Sequence, residues 1–277
     1  DERKEAVAKR HGQGRLTARE NINHLIDEGS LVEYGPTVVA AQRRRRSLDD
    51  LIAKTPADGL VGGLASINGS LFSGHDSRVV VMSYDYAVLA GTQGQQNHRK
   101  KDRLFEVAEK LQLPVVFFAE GGGGRPGDTD GLGVSGLDCW AFHDFAKLSG
   151  LVPLVGITGG FCFAGNAAIL GCCDVVIALE GSNIGMGGPA MIEGGGLGVF
   201  APHEIGPLSV QQANGVVDLV AKDDAHAVDL AKKYLSYFQG SVRNFTIHDQ
   251  DKLRMAIPIN RVKAYDVRNV IELMFDV

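Results

Sequence analysis

Two glycine loops hold the residues best able to do chemistry. One is Glu120-Gly121-Gly122-Gly123-Gly124-Arg125-Pro126-Gly127. The other is Gly156-Ile157-Thr158-Gly159-Gly160-Phe161-Cys162-Phe163-Ala164-Gly165-Asn166-Ala167. Each follows an apolar run that reads as a strand, and the second opens a helix. Small side chains let a ligand oxygen approach backbone N–H groups, and those at a helix start lack intrahelical acceptors and sit at the positive end of the dipole. Such a segment suits an anion or a developing oxyanion. The same glycines also suit tight turns between packed elements. The local pattern leaves both readings open.

Other chemistries lack their residues. There is no GxSxG elbow, no clean GxGxxG with a ribose-binding acid downstream, and no His/Asp/Glu group with metal spacing. The cysteines Cys139, Cys162, Cys172 and Cys173 form no CxxC pair and read as reduced, buried thiols of a cytosolic protein. Cys162 stands beside the second loop, but no histidine is placed to activate it, so it reads as packing. A site rich in backbone donors and poor in side-chain acids and bases suits stabilisation of an enolate better than hydrolysis.

The elements that must position these loops follow from periodicity. Helices are predicted at 2–9, 17–27 (with a capping box over Thr17-Ala18-Arg19-Glu20), 48–53, 95–111, 137–148, 165–171 and 224–238. Strands are predicted at 60–67, 71–73, 78–83, 115–119, 154–157 and 174–178. Short apolar strands with helical crossovers make an α/β fold with a mainly parallel core, whose ligands gather beyond the C-terminal strand ends. Residues after about 241 read as a linker and the start of something new.

The 277 residues carry 36 glycines, clustered rather than periodic, which excludes collagen and linker readings. A formal net charge of −5 gives a nucleic-acid partner no global support. No apolar run reaches the roughly 20 residues of a membrane span, and the charged N-terminus is no signal peptide. Arg43–46 reads as a solvated or partner-facing stretch. His98 and Lys101, one helical turn apart, suit either a solvated face or a ligand contact. Phe161 and Phe163 read as core, and Asp174 as a brace at its strand. The apolar stretch 185–200 is expected at a subunit interface or lining the active site.

Several segments, in order, resemble the carboxyltransferase component of biotin-dependent acyl-CoA carboxylases. They are residues 14–22 with 25–34, residues 58–69, Ser83-Tyr84-Asp85-Tyr86, the His98-x-x-Lys101 helix, the loop ending Gly123-Gly124-Arg125, and Asn214-Gly215-Val216-Val217-Asp218. Residues 42–60 and 184–198 look most like the large, single-chain members. The chain departs from the family in having Ala164-Gly165 where Gly-Gly is frequent, and it lacks the four-cysteine zinc ribbon of the split bacterial acetyl-CoA enzymes. Residues 257–268 look like the first residues of the family's second half.

The resemblance implies a crotonase-type (ClpP-like) spiral core. It implies a carboxyltransferase domain over 1–245 and the start of a second over 246–277. It implies transfer of a carboxyl group from carboxybiotin, carried on a separate domain, to the α-carbon of an acyl-CoA, with no metal. Ala164 and Gly165 would then form the oxyanion hole for the thioester. Gly122, Gly123, Gly124, Arg125, Gly187 and Gly188 would line the coenzyme A site, although Arg125 also suits a loop brace. The implied partners are biotin carboxylase and biotin carrier domains or subunits and further copies of the chain, in the cytoplasm. Two alternatives remain: another crotonase-fold acyl-CoA enzyme (a decarboxylase, or a hydratase using Glu120 or Glu193), or a fragment that binds acyl-CoA or a partner without catalysis.

Overall fold

The computed structural model describes residues 2–131, 139–242 and 245–275. The chain divides into two units, Asp1–Gly240 and Ser241–Val277. In the first unit the chain forms α1 (Glu2–Gly12), α2 (Ala18–Leu25), β1 (Val32–Glu33), α3 (Leu48–Lys54), β2 (Leu60–Ser66) and β3 (Arg78–Tyr84). It continues through α4 (Gln95–Leu111), β4 (Val115–Phe118), α5 (Ala141–Lys147), β5 (Leu154–Thr158), β6 (Phe161–Phe163) and α6 (Gly165–Leu170). Strand β7 (Val175–Leu179), β8 (Asn183–Gly185), α7 (Pro189–Gly194), α8 (Leu208–Ala213), β9 (Leu219–Ala221) and α9 (Asp224–Ser236) complete it.

Seven strands form one sheet in the order β1-β2-β3-β4-β5-β7-β9. The first three pair antiparallel, and from β3 to β9 every pairing is parallel. Strands β6 and β8 make a separate parallel pair. Alternation explains how the sheet is covered, because successive side chains point to opposite faces. Val79, Val81, Val116, Phe118, Val155 and Ile157 pack with Ile22 and Leu25 of α2 and Val228 and Leu235 of α9. Val80, Met82, Val115, Phe117 and Leu154 pack with Leu104 and Phe105 of α4 and Phe145 of α5. Each such side chain, fully buried, contributes about 1.5–3 kcal/mol before chain entropy is charged against it. Helices on both faces and a mainly parallel sheet are the architecture expected from the sequence.

The capping box is present: the Thr17 hydroxyl accepts from Glu20 N–H, and the Glu20 carboxylate accepts from Thr17 N–H at 2.7 Å. Asp174 braces β5 and β7, accepting Leu154 N–H on its carboxylate at 2.8 Å. The strand expected at 71–73 is instead a turn, in which Leu71 and Phe72 N–H both donate to Asn68 O. Asn68 takes a left-handed φ of 61°, and Asn tolerates this because its short polar side chain costs little there. The helix expected from 137 is observed as Ala141–Lys147, and residues 137 and 138 lie outside the described residues.

The second unit carries α10 (Leu253–Ala256) and α11 (Arg268–Met274). Met255, Ile259 and Val262 in it are exposed.

Candidate active site

Strands β4 and β5 end side by side, Phe118 opposite Ile157, and both glycine loops leave from this edge. The first loop is woven between two neighbours. On one side Gly121 N–H donates to Phe161 O at 2.8 Å, and Phe163 N–H donates to Gly121 O at 2.9 Å. On the other side Gln93 N–H donates to Gly123 O at 2.7 Å, and Arg125 N–H donates to Gln93 O at 2.9 Å. Gly122 N–H reaches Ala90 O at 3.0 Å, and Gly123 N–H reaches Asn166 Oδ1 at 3.1 Å. Among the described residues the N–H of Gly124 has no acceptor, and a Cβ there would meet nothing within 4 Å.

The second loop turns sharply at Ala164, with φ 52° and ψ −121°. A non-glycine residue held there stores about 1–3 kcal/mol of strain, the kind of cost found at functional sites. Gly123 and Ala164 touch: a Cβ on Gly123 would lie 2.7 Å from that of Ala164, and Gly123 itself has φ 88°. Both counts require glycine at 123. Gly165, the first residue of α6, has no acceptor for its N–H among the described residues. A Cβ on Gly165 would come 2.8 Å from Gln93 Nε2 and 3.0 Å from Phe142 Cζ.

The two-residue oxyanion hole expected at Ala164 and Gly165 is corrected here. Ala164 N–H already donates to Gly185 O at 2.9 Å, so it is not free for a substrate. Gly165 keeps its free donor, and Gly124, on the abutting loop, supplies another. Gly187 and Gly188 lead into α7, where a Cβ on Gly188 would sit 3.6 Å from the Phe163 ring.

Arg125 is buried and fully engaged. Its Nη1 pairs with Asp58 and lies 3.6 Å from Asp128, Nε donates to Thr92 Oγ1 at 3.2 Å, and Nη2 donates to Thr92 O at 2.9 Å. These bonds brace the glycine loop. Arg43–46 is exposed, as a solvated stretch would be. There the Arg43 and Arg44 N–H groups hold the Asp130 carboxylate, and Arg46 pairs with Asp50.

Beside the strand ends lies a cleft of about 420 Å³. Lys9, Arg10 and Arg15 line it from the N-terminal segment, and Glu120, Gly160 and Phe161 from the loops. Phe161 is therefore part of a wall rather than core, while Phe163 is buried as expected. Glu120 is held by Arg10 in a two-bond fork of 3.1 and 2.7 Å. Arg15 forks onto Asp224 at 3.1 and 2.9 Å. A Cβ on Gly160 would overlap the Glu120 carboxylate and one on Gly159 the Arg15 guanidinium. These two glycines make room for an ion-pair network, the structural reading, whereas Gly165 leaves a donor open.

Sequence reasoning missed Gln93, Asn166 and the burial of Lys101. Lys101 is fully enclosed and donates to Tyr84 Oη at 2.5 Å and Gln93 Oε1 at 2.7 Å, and burial lowers it to about 7. Burial lowers His98 to about 3, helped by the charges of Lys101 and Arg125. Both expectations for Lys101, a solvated face and a ligand contact, are therefore corrected, and His98 is no part of a solvated face. The signal was available: Lys101 shares the i, i+4, i+7, i+8 stripe of Asn97, Leu104, Phe105 and Ala108. Cys162 is buried, with Sγ donating to Ala119 O at 3.0 Å, and burial pushes its thiol well up, away from the thiolate a nucleophile needs. Among the described residues no group of three or more His, Cys, Asp or Glu could hold a metal ion.

The mainly parallel α/β sheet is shared with solved carboxyltransferases of crotonase-like fold, the class expected from the sequence. The chain belongs to the carboxyl transferase domain family, whose model matches residues 9–277. It is 32% identical to the methylmalonyl-CoA carboxyltransferase 12S subunit of Propionibacterium freudenreichii subsp. shermanii, over 98% of this chain and 51% of that protein. A solved single-chain, multi-domain long-chain acyl-CoA carboxylase superposes with a TM-score of 0.92 at 60% identity, covering 99% of this chain and 27% of that one. The crystal structure of a transcarboxylase 12S hexamer with methylmalonyl-CoA and methylmalonic acid bound matches with a TM-score of 0.77 at 30% identity, over 96% of this chain and 52% of that one. The chain thus spans about half the length of the curated relatives it matches.

Proposed function

We propose that this chain forms the acyl-CoA-binding half of a biotin-dependent acyl-CoA carboxyltransferase. The observation that carries the reading is the free Gly165 N–H at the strained Ala164 turn, which Gly123 touches and beside which the next residue of that loop, Gly124, also keeps a free N–H. Donors fixed before the reaction stabilise charge as it develops, without reorganising. The thioester oxygen of an acyl-CoA accepts from Gly165 and Gly124, and the α-carbon then carries enolate character. Carboxybiotin, presented by a carrier domain, supplies the activated carboxyl group. Lys9 and the cleft floor receive part of the coenzyme, and Arg125 acts by holding the loop.

The hydratase alternative is disfavoured by Glu120. A hydratase needs positioned carboxylates free to move protons, and both oxygens of Glu120 are taken by Arg10. The 60% identity to a single-chain long-chain acyl-CoA carboxylase supports a parent of the single-chain kind. The biotin partners, self-association and a cytoplasmic setting follow from the same family reading, as does the assignment of residues 246–277 to the start of a second carboxyltransferase domain.

The natural full-length protein, given carboxybiotin carrier, should carboxylate an acyl-CoA and should not hydrate enoyl-CoA. Residues 1–277 alone should bind coenzyme A by calorimetry and turn nothing over. A folded chain without coenzyme A affinity, or a full-length protein that hydrates but does not carboxylate, would sink the assignment.

A further inference from the structure

Behind the Ala164 turn runs a buried polar chain with no role so far. The Lys101 ammonium is fully enclosed, donates to Tyr84 Oη and Gln93 Oε1, and lies 5.2 Å from the Tyr84 ring centroid. Gln93 passes the connection on: its Nε2 donates to Asn166 Oδ1 at 3.1 Å, the oxygen that also receives Gly123 N–H. A Cβ on Gly165 would come within 2.8 Å of the same Gln93 Nε2. One buried cation is thereby joined through two amides to both glycine segments.

The ammonium has no carboxylate within ion-pair distance among the described residues. The titratable and charged groups around it are Tyr84 from β3, His98 and Asp102 from its own helix, Asp58 from the turn before β2, Cys139 ahead of α5, and Arg125 from the glycine loop. A buried charge without a contacting partner is costly. Negative charge on a ligand oxygen at the turn would supply the missing partner at the moment of reaction.

We propose that Lys101 is a positioning residue: through Gln93 and Asn166 its ammonium holds the Gly123 and Gly165 backbone and favours negative charge on the substrate oxygen bound there. This rests on the acyl-CoA reading above. With burial lowering Lys101 to about 7, the group titrates within a working pH range. The protonated form is the useful one. As pH rises through about 7 the free protein loses the cation, and kcat/KM falls.

The test is carboxyl transfer to acyl-CoA by the natural full-length protein, from about pH 6 to about pH 9. Lys101→Met should lower kcat about tenfold or more, leave KM for acyl-CoA within about twofold, and abolish the descending limb near neutrality. Gln93→Leu should act alike, and the double variant should lose little more, because both cut one chain. Gln93→Glu keeps the shape and sets a carboxylate on the ammonium but gives up the Nε2 donation to Asn166, so it should lower kcat while moving the descending limb to higher pH. This variant decides the matter even if Lys101→Met does not fold. Unchanged profiles in the folded variants overturn the role of Lys101 and leave the carboxyltransferase reading standing. A wild type that carboxylates no acyl-CoA overturns both together.

Discussion

Residues 121–125 and residues 185–198 are both rich in glycine, but their surroundings differ. The first segment is tied by backbone hydrogen bonds to residues 90–93 on one side and 161–163 on the other. In the second, Met186, Met191 and Leu197 stand in solvent, and Cβ atoms on Gly194 and Gly196 would meet nothing. Glycine in the tied segment serves close approach of backbones, which is where the absence of a side chain is required. In the open segment it accompanies an exposed apolar surface of the kind that marks an interaction site. One composition thus serves two purposes, and the neighbours decide which.

If the tied segment depends on its neighbours, breaking its anchor should cost most. Glu120→Ala leaves Arg10 buried without its fork, and losing one partner of a buried pair costs about 3–5 kcal/mol. Denaturant unfolding should show a midpoint lowered accordingly. A variant as stable as wild type would mean that Asp224 or water satisfies Arg10, and that the anchor is weaker than the geometry suggests.

Next comes the donor itself. Gly165→Val drives a branched side chain toward Gln93 and Phe142 and should slow acyl-CoA turnover about a hundredfold, on the scale of a lost oxyanion donor. Cys162→Ser should be mild, because that thiol only bonds to Ala119 O. Thermal melts would check that both variants fold. A near-normal Gly165→Val beside a dead Cys162→Ser would replace the backbone-donor mechanism with thiol chemistry.

The smallest effect on folding should come from the open segment. Leu197→Ser, at a residue 75% exposed, should change stability by less than about 0.5 kcal/mol. In the natural full-length protein it should weaken self-association by sedimentation. A large loss of stability with association unchanged would place Leu197 in a packed surface and remove the contrast between the two segments.

The sequence by itself determined a good deal. Continuous apolar runs over 78–83 and 115–119 marked strands that the sheet contains, because a strand covered on both faces needs apolar side chains along its length. The bounds of α4 and the capping box of α2 could be read residue by residue, since caps and helical period are local. The glycine loops could be placed at the ends of parallel strands, where ligands gather, because glycine is conspicuous and the apolar runs before the loops mark the strands.

Only the tertiary structure decided which donors remain free. Ala164 N–H is spent on Gly185 O, a partner that β8 brings alongside β6, and nothing local to residue 164 announces it. Whether Glu120 is an acid or an anchor depended on Arg10, a hundred and ten residues away. The helical stripe turns Lys101 inward, but only the fold brings Tyr84 and Gln93 to accept from its ammonium. Local sequence sets which groups can bond and which backbone angles are open. The acceptor each group meets, and the water it loses, depend on segments distant in the chain, and those contacts exist only in the folded protein.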